Sequence, residues 1–164
     1  YIFNKNRTII RTRFSKLFKR NFFGRSVNGF LFALNSLYNL MFIMPKSDLL
    51  IFTSEPPFAP FISIFTFFLK RTKYILIIYD SYPDVLLESK ILTKDNFIIK
   101  IWLLLNKYAY LNAERIILLS SPMAKKFIAD YPFTKNKVKI NFFIFSPFKV
   151  YLLLIAPATG FSVL

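Results

Sequence analysis

Tyr74–Ser89 reads YILIIYDSYPDVLLES, and its first six residues decide the fold. Tyr74 to Tyr79 is apolar, rich in Ile and Tyr, and too short for an amphipathic helix. A run of this kind, bounded by polar and turn-forming residues, reads as a strand buried on both faces. It stops at Asp80. Ser81, Tyr82, Pro83 and Asp84 follow as a turn, in which Pro83 fixes its own φ and biases Tyr82 away from the α region. Open α/β sheets place their ligands just beyond the carboxyl ends of their strands, so two carboxylates, a tyrosine and a proline there form a candidate site. The plainer reading of the same turn is a strand-to-helix loop with Asp84 as a helix cap.

Two further runs repeat the pattern on either side. Asp48 to Thr53 (DLLIFT) is a short apolar run ended by Ser54, Glu55, Pro56 and Pro57. The apolar stretch Phe58 to Leu69 then closes on Lys70 and Arg71, basic residues that suit the end of a helix. On the other side, Phe97 to Asn112 reads as a helix with Asp95 or Asn96 as its cap. Its core face is predicted to carry Ile98, Ile101, Trp102, Leu105 and Ala109, with Lys100 and Lys107 opposite. Arg115 to Leu119 (RIILL) is the third buried run. It leads into Ser120, Ser121 and Pro122, the pattern of a serine N-cap with proline at the start of a helix, here a helix from Met123 to Tyr131. Lys137 to Phe143 (KVKINFF) alternates as a last strand.

Strand and helix alternating in this way predict an α/β fold, a Rossmann-like parallel sheet with helices on both faces. Right-handed crossovers would then bring the turns at Ser54–Glu55, Asp80–Asp84 and Ser120–Ser121 to one edge of the sheet. The backbone N–H groups of the helix that Ser121 opens are also placed to receive a phosphate.

The flanks differ from this middle. Residues 1–47 contain no acidic residue, and Lys5, Arg7, Arg11, Arg13, Lys16 and Arg25 are interleaved with Phe14, Phe18 and Phe22. The segment Lys5–Arg25 reads either as a loosely ordered, solvated arm or as a surface for anionic lipid or nucleic acid. Gly29 to Met44 reads as a helix ended by Pro45. At about sixteen residues it is shorter than the roughly 20 that cross a bilayer. From Ser146 a hydrophobic tail, residues 146–164, reads either as a last strand with a loose end or as the product of a frameshift or false stop. The expected division is therefore a basic, Phe-rich arm and helix (1–47), a Rossmann-like domain (48–145) and the tail.

Composition narrows the chemistry. A net charge of +15 points to an anionic partner. With no His and no Cys, histidine catalysis, thiol chemistry, disulfides and Cys/His metal sites are all excluded, and acid–base work falls to eight carboxylates. No compact apolar stretch with a small-residue cleavage site follows the basic start, and the first residue is Tyr1, as expected of a fragment or a processed chain.

The segment from Asp48 to about Asn141 resembles the N-terminal half of the family-4 glycosyltransferases of the GT-B type, most closely the bacterial enzymes that build exopolysaccharide, capsule or lipopolysaccharide. DLLIFTSEPPF looks like that family's strand ending in Thr/Ser before a proline turn. YILIIYDSYPDV looks like its strand ending in Asp, followed by an aromatic–Pro–acid turn. IIKIWLLLNKYAYLNAERIILLSSPMAKKF is similar to its helix, strand and Ser-x-Met helix start, and KVKIN resembles the strand before the second domain. The resemblance covers more than half of the chain.

It implies retaining transfer of a sugar from a nucleotide sugar to a glycan or lipid-linked acceptor, with no cofactor and no essential metal. It assigns Asp80 as the contact to the acceptor hydroxyl, and Ser54, Glu55, Tyr82, Asp84, Ser120 and Ser121 as substrate-binding. The nucleotide sugar would be bound mainly by a C-terminal domain. That family's opening strand and Gly-rich loop, and its pair of donor-gripping glutamates, have no counterpart here, so an internal piece that is inactive alone is expected. Placement follows from the same likeness: cytoplasmic, peripheral to the inner membrane, held on its anionic surface by Lys5–Arg25, with no nucleic-acid partner. A small non-enzymatic membrane protein is the alternative.

Overall fold

The computed structural model describes residues 2–4, 7–9, 22–44, 47–55, 57–84, 87, 93, 95–140 and 150–153. Its centre is a parallel sheet of four strands, β3 (Leu49–Thr53), β4 (Lys73–Ile78), β5 (Arg115–Leu118) and β6 (Val138–Ile140), which lie side by side in chain order. A further strand, β7 (Val150–Leu153), lies parallel to β3 on its other side. A separate antiparallel pair is formed by β1 (Ile2–Asn4) and β2 (Arg7–Ile9). The helices are α1 (Phe22–Tyr38), α2 (Ala59–Lys70), α3 (Phe97–Asn112) and α4 (Ser121–Asp130). The α/β, parallel, Rossmann-like architecture flanked by helices is the expected one; helices were expected on both faces, and the four described helices all pack on one.

β3, β4 and β5 form because both faces of each are apolar. Along β4, Tyr74, Ile75, Leu76, Ile77 and Ile78 are all buried, with Tyr74 wholly so. Alternation then sends Leu50, Phe52, Tyr74, Leu76, Ile78, Ile116 and Leu118 into one cluster and Ile51, Ile75, Ile77 and Ile117 into another. All four helices contribute to the first cluster, or pack against it, through residues such as Ala33, Ile62, Ala109 and Phe127. The chain steps from β3 to β6 in a single direction, and right-handed crossovers that keep one direction must leave their helices on one face. Among the described residues no helix contributes to the second cluster.

Local signals set the helix ends. Asn96 is extended, and its side chain accepts from the Ile98 N–H at 2.9 Å. Asn96→Ala is therefore expected to lower stability by about 1 kcal/mol, read as a fall in the urea midpoint at unchanged slope. Helix α1 begins at Phe22, upstream of the expected Gly29, and passes into a π-helical turn over Asn39–Ile43. Met44 is extended there (φ −81°, ψ 136°), as the residue before a proline should be. Arg71 ends α2 with φ at 50°, in the left-handed region.

The β1–β2 pair was not expected in the basic arm. Its strand residues include Ile2, Thr8 and Ile9, and the two residues between the strands are Lys5 and Asn6. The remainder of Lys5–Arg25 is described only for Arg7–Ile9 and for the start of α1, and most of 146–164 lies outside the described residues. Within the tail, β7 follows the last-strand reading. The expected extension of β6 to Phe143 also lies outside the described residues.

Candidate functional site

Strand register brings the three polar turns to one edge. Thr53 pairs with Ile77 across β3 and β4, and Ile78 pairs with Leu118 across β4 and β5. Residues after Thr53, Ile78 and Leu118 therefore leave the sheet side by side at its carboxyl end, where parallel sheets hold ligands.

Ser54 ties the first two turns together. It is 6% exposed, its N–H donates to the Ile77 carbonyl at 2.8 Å, and its Oγ accepts from the Tyr79 and Asp80 N–H groups at 2.9 and 3.2 Å. Thr53 Oγ1 donates to the Glu55 carbonyl at 2.8 Å and fixes the next residue. Sequence reasoning placed Ser54 among substrate contacts; in the structure its hydroxyl oxygen sets the geometry of the β4 turn, between Glu55 and Asp80.

Glu55 and Asp80 form a carboxylate pair. Burial raises the Glu55 pKa above 4.5, and the hydrogen bond to the Asp80 side chain and the Asp80 charge push it further the same way. The shift therefore favours the protonated form of Glu55. Glu55 is half-buried and Asp80 exposed, so the pair combines one screened and one solvent-facing group, an arrangement suited to accepting hydrogen bonds from hydroxyls. Among the described residues no three acidic side chains gather as a metal centre would require.

The rest of the predicted constellation divides in two directions. The Tyr82 ring stacks on Trp102 of α3 (6.3 Å between centroids, 16° between planes), and Trp102 stacks in turn on Phe58 (5.5 Å, 26°). The Tyr82 carbonyl accepts from Asn106 Nδ2 at 2.5 Å, and the Tyr82–Pro83 peptide is cis. Asp84 instead approaches Lys126 of α4 at 3.9 Å. Beside it a hollow of about 30 Å³ is lined by Ser81, Asp84, Met123, Lys126, Phe127 and Asp130, room for a water rather than a sugar. Ser120 caps α4, its Oγ accepting from the Met123 N–H at 3.4 Å. Ser121 is the first residue of α4 and is exposed.

Trp102, Phe58, Asn106 and Lys126 were not foreseen as neighbours of the turn. For Trp102 the signal was present, since it is the chain's single tryptophan and sits on a helix that follows the Tyr82 loop. The α3 core face also differs from the expected one. Ile99, Asn106, Ala109 and Tyr110 are buried, whereas Ile98 is 58% and Ile101 41% exposed. A helix apolar on most sides offers more than one stripe for periodicity to select, and the hydrogen bond from Asn106 to the Tyr82 loop favours this rotation.

Below the turn, Tyr110, Phe127 and Tyr131 make an aromatic cluster with centroids 4.9–5.2 Å apart. Burial, with the Asp84 and Asp130 charges, pushes Tyr131 up to about 12; burial pushes Tyr110 up as well, aided by the charges of Tyr131 and Asp84. Burial also raises Tyr74 to about 12. These phenols release their protons later in the folded chain than in the unfolded one, so their stabilising contribution is complete below pH about 10 and is lost as pH rises through about 12. The last part of the phenolate absorbance is expected to appear together with loss of far-UV ellipticity across that window; a complete phenolate signal at full ellipticity would contradict it.

No family model matches the chain, and no curated protein or solved structure is found to match it.

Proposed function

We propose that this chain is the acceptor-side domain of a retaining glycosyltransferase, with Asp80 receiving the hydrogen bond of the acceptor hydroxyl. The observation that carries the reading is Ser54 Oγ binding the Tyr79 and Asp80 N–H groups, which seats Asp80 beside the Ser54–Glu55 turn at the carboxyl edge of adjacent parallel strands. An exposed carboxylate seated on a rigid turn can orient a sugar hydroxyl and draw on its proton as that oxygen bonds to the anomeric carbon of the donor. In this reading the nucleotide sugar, whose leaving phosphate departs from the same carbon, is bound on a second domain. The acceptor is a glycan or lipid-linked sugar, delivered at the anionic inner surface of the cytoplasmic membrane with help from Lys5–Arg25.

Saturation-transfer NMR on the full chain tests this, using a panel of hexoses, N-acetylhexosamines and a polyprenyl-phosphate-linked sugar. At least one class is expected to show contact that disappears in Asp80→Asn. A panel with no response, or a response indifferent to Asp80, removes the reading. A second reading, a non-enzymatic membrane-associated protein, draws on exposed apolar side chains such as Phe42 and Phe68 and expects vesicle binding with no saccharide response.

A further inference from the structure

Helices α1, α2 and α3 pack side by side, α2 touching both of the others, and their solvent sides are apolar. On α1 and the π-helical turn after it, Phe30, Leu34, Tyr38 and Phe42 recur every four residues and are 48–77% exposed. On α2, Phe65, Phe68 and Leu69 share one side at 51–68%. On α3, Phe97, Ile101, Leu104, Tyr108 and Leu111 form a stripe at 41–74%. An ordinary surface helix turns its polar side outward, and an apolar surface this continuous marks an interaction site.

Charge selects the occupant. Neither α1, α2 nor α3 contains an acidic residue, and their charges are Arg25, Lys70, Lys100 and Lys107. Lys100 and Lys107 are exposed and spaced with Leu104 and Leu111 along one side of α3. A second copy of the chain would set these cations, and a net charge of +15, against themselves. Apolar side chains bordered only by cations instead match an anionic lipid headgroup layer over acyl chains. Among the described residues no helix is long and apolar enough to cross a membrane, which leaves docking parallel to the surface.

We propose that the outer face of the α1–α2–α3 layer is a membrane-docking surface for anionic bilayers. Its exposed apolar residues all lie outside the Lys5–Arg25 segment, and it does not depend on the glycosyltransferase reading.

The absence of cysteine allows a single-site probe on the full chain. An environment-sensitive fluorophore at Leu104→Cys is expected to brighten and shift to the blue with vesicles of phosphatidylcholine and phosphatidylglycerol. Brominated acyl chains should quench it, and phosphatidylcholine alone should leave it unchanged at equal lipid. The same fluorophore at Lys139→Cys, exposed and paired with Ile117 on the opposite face of the sheet, is expected to remain silent. Lys100→Glu with Lys107→Glu should weaken binding by at least about 25-fold, about fivefold for each cation removed, with circular dichroism confirming the fold. Co-sedimentation with vesicles while position 104 stays silent would assign binding to another segment and overturn the proposal. Concentration-dependent self-association that quenches position 104 without lipid would assign the face to a second copy and overturn it equally.

Discussion

Tyr74→Ala is expected to remove about 3–5 kcal/mol of stability, the largest loss available to a single side chain in the core. Tyr74 is fully buried, and the Phe52 and Phe67 rings meet it edge-on at 6.0 and 6.1 Å. Truncation leaves a ring-sized void among groups fixed by the sheet on one side and by α2 and α3 on the other. The hydroxyl contributes less. It donates to the Ala109 carbonyl at 2.6 Å, but that carbonyl also accepts from the Ala113 N–H at 3.1 Å, so Tyr74→Phe does not orphan it and should cost about 1 kcal/mol. Folded domains hold only about 5–15 kcal/mol in total. Tyr74→Ala is therefore expected to lower the melting temperature by roughly 6–20 °C, and calorimetry of the two variants separates ring from hydroxyl. Near-equal losses would mean that the ring is not the keystone of the layer.

The same residue shows why the fold was legible. Tyr74 to Ile78 is a continuous apolar run because both sides of the strand are buried, and only a central parallel strand has that requirement. Leu49–Thr53 and Arg115–Leu118 carry the same signature. Their edge turns could then be placed together without coordinates, and Ser54, Glu55 and Asp80 do meet. What periodicity could not settle was direction around the helix axis. Ile98 and Ile101 are as apolar as Ile99, and the choice among them depends on Asn106 reaching the Tyr82 carbonyl, a contact between residues far apart in the chain. For Tyr82 and Asp84 the sequence showed neighbours in one turn. Their side chains diverge to Trp102 and to Lys126 because a helix approaches the turn from each side. The outward apolar stripes on α1–α3 were hidden for the same reason: a helix apolar on most sides looks buried until its neighbours are known to cover only one side.

Asp80→Asn is expected to abolish the saccharide response, and to slow glycosyl transfer by about 10²–10⁴-fold wherever the chain works with a nucleotide-sugar-binding domain, the usual worth of a positioned base. The exchange keeps the shape of the side chain and touches an exposed position. The Asp80 N–H that holds the turn through Ser54 Oγ belongs to the backbone and survives, so stability should change by no more than about 0.5 kcal/mol. Glu55→Gln separates charge from position. Because the Glu55 pKa is raised above 4.5 in the folded chain, its contribution to stability is fully present below pH 4.5 and falls away as pH rises through the folded value. Glutamine has no such loss. Relative to the parent, Glu55→Gln is thus expected to melt higher near neutral pH, with the difference closing toward pH 4. If Asp80→Asn removes the response while Glu55→Gln keeps it and shifts only the pH profile, Asp80 is the group that meets the acceptor and Glu55 the one that tunes it. If both variants bind as the parent does, the edge of the sheet holds the two turns together and the acceptor site lies elsewhere.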